Sequence, residues 1–278
     1  MQPVWILTDE RYVAQRMPGA LTAALRRRAV DARLIVAERV APHPAGGSPW
    51  PGLRRGDMVV GRARSPWALT LLRAAERVGA AAMMPSAAIE AVRDKALAAG
   101  VLADAGVPTP PTWLAHGPDA VRALPATAYP LLLKPVYGDN ARGIRLVRGP
   151  DDLRGAHDEA SVLVAQRYVD VAGVDLKLYI AGERVWAVRR PSPLTGEPGE
   201  GTDVPVDRTL HDLARRCAEL FGLTFAGVDV LAAADGPLVV DVNDFPNYTG
   251  IAEAPAVLAD LVLRSGAAAA PVREGMCA

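Results

Sequence analysis

The sequence predicts an α/β half followed by an α+β half. Three observations carry this reading. Over the first hundred residues short apolar runs alternate with helical stretches; after Gly106, Pro108 and Pro110-Pro111 the pattern changes to strand-like runs that pair through turns; and no internal repeat is present.

Val4 to Leu7 is an apolar run ending at Thr8-Asp9, followed by an Ala, Leu and Arg-rich helix through Arg28 and a second run from Arg33 to Ala37. Pro42 to Gly56 reads as loop, Asp57 to Gly61 as a third strand, and Pro66 to Val78 as a helix with Trp67, Leu71 and Leu72 on one face. Ala81 to Met84 completes four strands, and their alternation with helices implies a parallel sheet. From Ala87 to Gly106 strong helix formers without an internal Pro predict one helix. Beyond it, Tyr129 to Val136, Gly143 to Val147, Ser161 to Tyr168, Asp175 to Ala181 and Arg184 to Arg189 read as strands, with Gly182 in a hairpin turn. His211 to Phe221 is an amphipathic helix, Val228 to Leu231 and Leu238 to Val242 a further hairpin, and Ile251 to Arg264 a closing helix. Pro191 to Pro205 reads as a loop.

Composition narrows the function. Of 278 residues, 31 are Lys or Arg and 31 are Asp or Glu, so no bulk field draws the chain to nucleic acid or anionic lipid, and neither is an expected partner. No uncharged run approaches the roughly 20 residues of a membrane span. The first ten residues lack a basic n-region and a long apolar h-region, so the expected location is the cytoplasm. Cys217 and Cys277 cannot make a metal cluster, and the four His show no ligand-like spacing; any metal would be held by oxygen donors.

Three segments carry candidate chemistry. In Leu131-Leu132-Leu133-Lys134-Pro135-Val136-Tyr137-Gly138-Asp139-Asn140-Ala141-Arg142-Gly143-Ile144, a lysine ends an apolar strand, where an unpaired ammonium costs several kcal/mol to desolvate. Either Lys134 meets an anion and the Gly138 to Gly143 loop folds over phosphates, or the lysine snorkels above an ordinary hairpin. In Val240-Asp241-Val242-Asn243, the alternation of a strand puts Asp241 and Asn243 on one face, and hairpin pairing brings Asp229 beside them. Such carboxylates call for a cation, and hard oxygen donors suit Mg²⁺; the alternative is a turn before Pro246. In Asp175-Leu176-Lys177-Leu178-Tyr179, Asp175, Lys177 and Tyr179 share a face, either as a functional group or as a solvated pair. Arg189 and Arg190 add charge at a strand end, where it either clamps phosphoryl oxygens or sits in water.

Taken in order, Arg93-Asp94-Lys95, Leu133-Lys134-Pro135 with its glycine loop, Gln166-Arg167-Tyr168-Val169, Asp175-Leu176-Lys177, Gly227-Val228-Asp229 and Asp241-Val242-Asn243 resemble the ATP-grasp superfamily over roughly residues 86 to 260. The resemblance implies an N-terminal α/β domain (1–86) and an ATP-grasp domain (87–278). The latter has a small lobe at about 107–170 and a large lobe at about 171–278 joined by helix 87–106, the two α+β lobes clasping ATP. It implies that Lys95 and Lys134 contact the nucleotide phosphates and that the Gly138, Asp139, Asn140 and Gly143 loop covers them. Gln166, Arg167, Tyr168 and Val169 match the hinge whose backbone meets adenine, Asp175 matches a nucleotide-contacting Asp, and Asp229, Asp241 and Asn243 match the Mg²⁺ ligands, with Mn²⁺ as the alternative ion.

Within the superfamily the glycine loop and the ending Asn243-Asp244-Phe245-Pro246 to Gly250-Ile251 look like the RimK-type carboxylate-amine ligases, whose second metal ligand is more often Glu. Their Arg-Ser-Asn stretch is absent from Pro191 to Thr202. Lys177 to Gly182 followed by Arg190-Pro191-Ser192 is similar to the inositol trisphosphate kinases, whose loop histidine is absent here. The ligase is preferred, because its loop fits more closely and the net charge of zero shows no excess of basic residues for a polyphosphorylated ring. The expected activity joins a small-molecule or peptide carboxylate to an amine through an acylphosphate, with ATP and Mg²⁺. Lys177, Arg189, Arg190 and Arg142 are the candidates for holding the acceptor or the transferring phosphoryl group. An inositol-phosphate-type small-molecule kinase and a non-catalytic ATP-binding protein are the alternatives; the sequence leaves the oligomeric state open, a homodimer being the common outcome for soluble enzymes.

Overall fold

A computed structural model describes residues 2–43, 47–138, 143–154, 162–171, 173–192 and 201–269. Asp139, Asn140 and Arg142 of the glycine loop, and residues 193–200 of the Pro191 to Pro205 loop, lie outside this set. The chain divides into two compact units, one formed by Met1–Ile89 with Phe245–Ala278 and the other by Glu90–Asp244.

In the first unit the apolar runs become β1 (Val4–Thr8), β2 (Ala32–Val36) and β3 (Met58–Arg62), with a short β4 (Ala81–Ala82). They form a parallel sheet in the order β2-β1-β3-β4. Every residue of β1 and β3 is buried, as a parallel strand covered on both faces requires. The helices are α1 (Arg16–Arg26) and α2 (Pro66–Arg77). Ser65 caps α2 by accepting the N–H of Ala68 at 3.0 Å. The expected apolar face of α2 is corrected at one position: Leu71 and Leu72 are buried, but Trp67 is 40% exposed. Helical geometry separates residues 67 and 72 by about 140°, so both cannot face the core; Trp67 instead donates its Nε1–H to the Ala37 carbonyl at 2.8 Å.

The expected single helix over 87–106 is two helices, α3 (Ser86–Arg93) and α4 (Lys95–Asp104). Asp94 breaks them. Its carboxylate accepts the N–H groups of Ala96 and Leu97 at 3.0 and 2.9 Å, an N-cap that a short acidic side chain prefers to a helix interior. Lys95 thereby becomes the first residue of α4, and its own N–H turns to the Val136 carbonyl at 3.2 Å.

The second unit holds two antiparallel sheets. One has the order β5-β8-β6-β7, from β5 (Thr112–Ala115), β6 (Leu131–Pro135), β7 (Arg145–Val147) and β8 (Leu163–Arg167). Alternation along β6 sends Leu131 and Leu133 into a core shared with Val121 of α5 (Gly117–Arg122), Val147, Leu163 and Ala165, and puts Leu132 and Lys134 on the other face. The other sheet has the order β11-β10-β9-β12-β13, from β9 (Val174–Ala181), β10 (Arg184–Pro191), β11 (Thr202–Val204), β12 (Phe225–Ala233) and β13 (Gly236–Asp244). Gly182, at φ 58, makes the tight β9–β10 turn. Helix α6 (Arg208–Leu220) packs on this sheet and buries Leu213, Ala214 and Cys217. Burial pushes the Cys217 thiol up to about 12, as befits a core residue rather than a nucleophile. Helix α7 (Ala254–Ala269) belongs to the first unit, where it packs on α1 and Asp260 meets Arg28 at 2.7 Å. Among the described residues no helix is long and apolar enough to cross a membrane.

Candidate functional site

The strands of the second unit set the site by register. Lys177 on β9 lies opposite Asp229 on β12, and Asp229 lies opposite Asp241 on β13. The three side chains therefore form one row across the sheet. Immediately after this row the β12–β13 register shifts: Asp229 pairs with Asp241 but Val230 pairs with Val239, leaving Val240 as the extra residue of a bulge. Asn243, two residues beyond Asp241, falls on the same face opposite Gly227, which contributes no side chain to that row.

The row is closed by short polar contacts. Lys177 Nζ donates to Asp229 Oδ2 at 2.7 Å, Lys95 Nζ to Asp241 Oδ2 at 2.7 Å, and Asn243 Nδ2 to Asp229 Oδ2 at 3.0 Å. Arg190 Nη2 reaches Asp229 Oδ1 at 3.4 Å. Lys134 donates to Gln166 Oε1 at 2.6 Å and approaches the Val240 carbonyl at 3.4 Å, so the bulged residue faces the second lysine. Gln166 passes its own Nε2–H to Thr112 Oγ1 at 3.1 Å, and Thr112 donates to the Pro110 carbonyl at 2.8 Å.

Burial and charge work against each other here. Burial pulls the Lys134 ammonium down to about 8, against the attraction of Asp241. Burial also lowers Lys177, opposed by Asp229. Burial works to raise the Asp241 carboxyl, but Lys95 and Lys134 outweigh it and the group is held below its usual range. Asp175 is raised by burial and by Asp229, while a hydrogen bond with Ser192 works the other way. Four cations (Lys95, Lys134, Lys177, Arg190) thus face three carboxylates (Asp175, Asp229, Asp241), and the surplus charge suits a polyanion.

Lys95, Lys134, Gln166, Asp175, Lys177, Arg190, Asp229, Asp241 and Asn243 are brought together. Arg189 is not: it neighbours Leu176 in the β9–β10 ladder, one residue out of phase with Arg190, and it is exposed on the opposite face. In the segment expected to meet adenine, Gln166 to Val169, the N–H groups of Arg167 and Tyr168 donate to the carbonyls of Pro111 and Pro130 at 2.8 and 2.9 Å. Gly138 and Gly143 bracket the part of the loop outside the described residues; Gly143 has φ 74, and a Cβ there would stand 3.1 Å from Pro135 Cγ. Two features escaped the sequence reading: the side-chain link from Gln166 to Lys134, and the Asp94 cap that orients Lys95. The first had a faint signal, since a glutamine in the otherwise apolar stretch Leu163-Val164-Ala165 must find a partner when buried.

Among the described residues no group of three or more His, Cys, Asp or Glu side chains is placed to hold a metal. The donor set is instead two carboxylates and one amide, Asp229, Asp241 and Asn243. Each carboxylate already has an ammonium at 2.7 Å, the position a bound cation would contest. Hard oxygen donors of this kind fit Mg²⁺.

Residues 92–261 match the description of the RimK-like ATP-grasp domain. The chain belongs to the RimK-like ATP-grasp family. A ribosomal protein bS6–L-glutamate ligase of Salmonella paratyphi B is 30% identical over 208 residues, covering 69% of each chain. Among solved structures, a RimK domain ATP-grasp protein of Sphaerobacter thermophilus superposes with a TM-score of 0.76 at 22% identity, covering 94% of this chain and 99% of that one. The ATP-grasp ligase PsnB, solved with a minimal precursor, Mg and ADP, gives a TM-score of 0.70 at 20% identity, covering 95% and 98%. These likenesses agree with the α/β and α+β architecture described above.

Proposed function

We propose that the row Lys177–Asp229–Asp241, with Lys95, Lys134, Asn243 and Arg190 around it, is where this chain handles the triphosphate of ATP. The chain is an ATP-dependent carboxylate-amine ligase: a carboxylate oxygen attacks the γ-phosphorus, ADP departs, and an amine then displaces phosphate from the acylphosphate to form an amide. The family match carries the ligase over the kinase and the inert ATP-binding protein. The observation that supports the site is the convergence of two carboxylates and an amide with two ammonium groups, each 2.7 Å from its carboxylate.

Asp229, Asp241 and Asn243 would hold Mg²⁺, with Mn²⁺ in its place part of the same proposal; the ion would supply charge neutralisation at the phosphates. Asn243 offers its NH₂ to Asp229 in the present arrangement and would offer Oδ1 as a ligand. Lys134, hydrogen-bonded to a neutral amide rather than a carboxylate, offers its ammonium to a phosphate oxygen, and Lys95 is freed for the same task when Asp241 takes the metal. Arg190, partly buried and 3.4 Å from Asp229, holds the γ-phosphoryl group or the attacking carboxylate. Asp175 and the Gln166 to Val169 segment belong to the nucleotide side of the proposal, and the Gly138 to Gly143 loop, with Asp139, Asn140 and Arg142, covers the phosphates.

The amine substrate proposed is an amino acid, with glutamate as the first to test on the strength of the relative named above, and the acceptor is a carboxylate on a peptide or protein. The test incubates the protein with ATP, Mg²⁺, labelled glutamate and a panel of carboxylate-bearing peptides. ADP, free phosphate and a product heavier by one amide-linked residue are expected in equal amounts. ADP with a phosphorylated acceptor and no free phosphate would overturn the ligase.

A further inference from the structure

Within the second unit, a line of hydrogen bonds on the four-stranded sheet runs from Lys134 to the backbone. Lys134 Nζ donates to Gln166 Oε1 at 2.6 Å, Gln166 Nε2 donates to Thr112 Oγ1 at 3.1 Å, and Thr112 Oγ1 donates to the Pro110 carbonyl at 2.8 Å. Strand pairing puts the three side chains in reach of one another. Thr112 on β5 stands directly opposite Gln166 on β8. The direct partner of Gln166 on β6 is Leu132, so Lys134 is its diagonal neighbour, within reach of two long side chains. Alternation sends Leu131, Leu133, Leu163, Ala165 and Ala115 into the core, which leaves Thr112, Gln166 and Lys134 together on the other face.

Every bond in this line runs in one sense, and its two ends decide which. At one end an ammonium can only donate, so Gln166 must show it the amide oxygen. At the other end a carbonyl can only accept, and Pro110 and Pro111 have no N–H with which to claim the Thr112 oxygen. The Thr112 proton therefore goes to Pro110, and its oxygen is left for the amide NH₂. Gln166 is 4% exposed, so an N–H that lost this partner would find little water in its place.

The two ends agree on one orientation of the amide, and the agreement matters once an anion arrives. A phosphate oxygen beside Lys134 competes with Gln166 for the ammonium protons, and it accepts equally well from an amide N–H. An amide held by Lys134 alone could then turn its NH₂ toward the phosphate and release the ammonium. With the NH₂ held by Thr112, that turn breaks a bond and sets the amide oxygen against the lone pairs of the hydroxyl. We infer that Thr112 is a positioning residue of the nucleotide site, its hydroxyl fixing the Gln166 amide so that Lys134 stays anchored by a neutral oxygen while it holds phosphate. The inference rests on the proposed phosphate contact of Lys134 and extends it to a residue that acts through Gln166.

Thr112→Val removes the hydroxyl and keeps the β-branched shape, whereas Thr112→Ser keeps the hydroxyl. ATP binding is measured by calorimetry on the full chain with Mg²⁺ present, for each variant alone and combined with Gln166→Leu. Thr112→Val is expected to weaken ATP binding about three- to tenfold, the worth of one hydrogen bond, and Thr112→Ser to recover most of that loss. In the Gln166→Leu background Thr112→Val should change the dissociation constant by less than about twofold, because the hydroxyl then has no amide to fix. A hydroxyl that only stabilised β5 would weaken binding by the same factor in both backgrounds. Gln166→Met, of similar length and equally without an amide, takes the place of Gln166→Leu if thermal denaturation shows the latter unfolded. An unchanged ATP affinity in Thr112→Val, no recovery in Thr112→Ser, or an equal effect in both backgrounds would each overturn the inference. Failure of the reading beneath it is recorded separately, as an ATP affinity that Lys134→Ala leaves unchanged, and none of these measurements requires turnover.

Discussion

Two buried lysines of the second unit are held in opposite ways. On the four-stranded antiparallel sheet Lys134, 7% exposed, is met by the neutral oxygen of Gln166 at 2.6 Å; on the five-stranded sheet Lys177, 6% exposed, is met by the carboxylate of Asp229 at 2.7 Å. A neutral acceptor satisfies one donor and leaves the charge to the more distant attraction of Asp241, whereas a hydrogen-bonded carboxylate cancels it. This contrast is what the proposed role of Lys134, contact with a phosphate oxygen, rests on. Lys177 is one half of a pair whose other half is wanted by a cation. The drop of Lys134 from 10.5 to about 8 corresponds to roughly 3 kcal/mol against the charged form in the unliganded site.

The comparison is broken most severely at Lys134. Lys134→Ala should lower kcat/KM for ATP by about 1,000-fold, equivalent to about 4 kcal/mol of lost transition-state stabilisation, measured by coupled ADP release. Lys177→Ala should behave differently: with Asp229 relieved of its 2.7 Å ammonium and held only by Arg190 and Asn243, the Mg²⁺ concentration for half-maximal nucleotide binding should fall even as turnover is lost. Next in size, Asp241→Asn should raise the Mg²⁺ requirement by about 10- to 100-fold, read from titrations at fixed ATP, because it removes a hard anionic donor and leaves Lys95 without its partner.

Gln166→Glu would make the two lysines alike. A carboxylate on Lys134 should weaken ATP binding about tenfold and move the alkaline limb of its pH profile upward, whereas Gln166→Leu should weaken binding without that upward move. In the unsubstituted protein, the ammonium is the form that attracts phosphate, so ATP affinity should fall as pH rises above about 8, by up to about tenfold per pH unit. The stability of the unliganded fold runs the other way. Between about 8 and 10.5 the unfolded chain keeps the proton that the folded chain has lost, so this group makes the fold more stable with rising pH there. Chemical denaturation at pH 7.5 and 9.5, with a Lys134→Met control, separates the two effects. The smallest change is at the cap: Asp94→Ala should cost about 1 kcal/mol of stability and raise the KM for ATP severalfold, since Lys95 loses the turn that aims it.

What the linear chain determined was most of the strands and helices and the facing of side chains within them; β5, α5 and β11, the last inside the expected Pro191 to Pro205 loop, were not among them. The strand around Lys134, the shared face of Asp175 and Lys177, and the shared face of Asp241 and Asn243 all follow from a period of two, which is a property of the backbone and survives any arrangement of the strands. The parallel sheet of the first unit followed in the same way from alternating strands and helices. Partners between elements were decided only in three dimensions. Hairpin pairing was expected to bring Asp229 beside Asp241, as it does, but the exact register that sets them opposite each other depends on a shift at Val240 that no residue in that stretch announces. Gln166 and Lys134, 32 residues apart, meet because β8 pairs with β6. The apolar pattern over 87–106 read as one helix because Asp is only mildly unfavourable inside a helix; the break became favourable once the freed Lys95 N–H had the Val136 carbonyl to bind. Arg189 and Arg190 are adjacent in sequence yet part company, because a strand sends neighbours to opposite faces and only the sheet decides which face is the site. Local periodicity is encoded residue by residue; which carboxylate neutralises which ammonium is a property of packing.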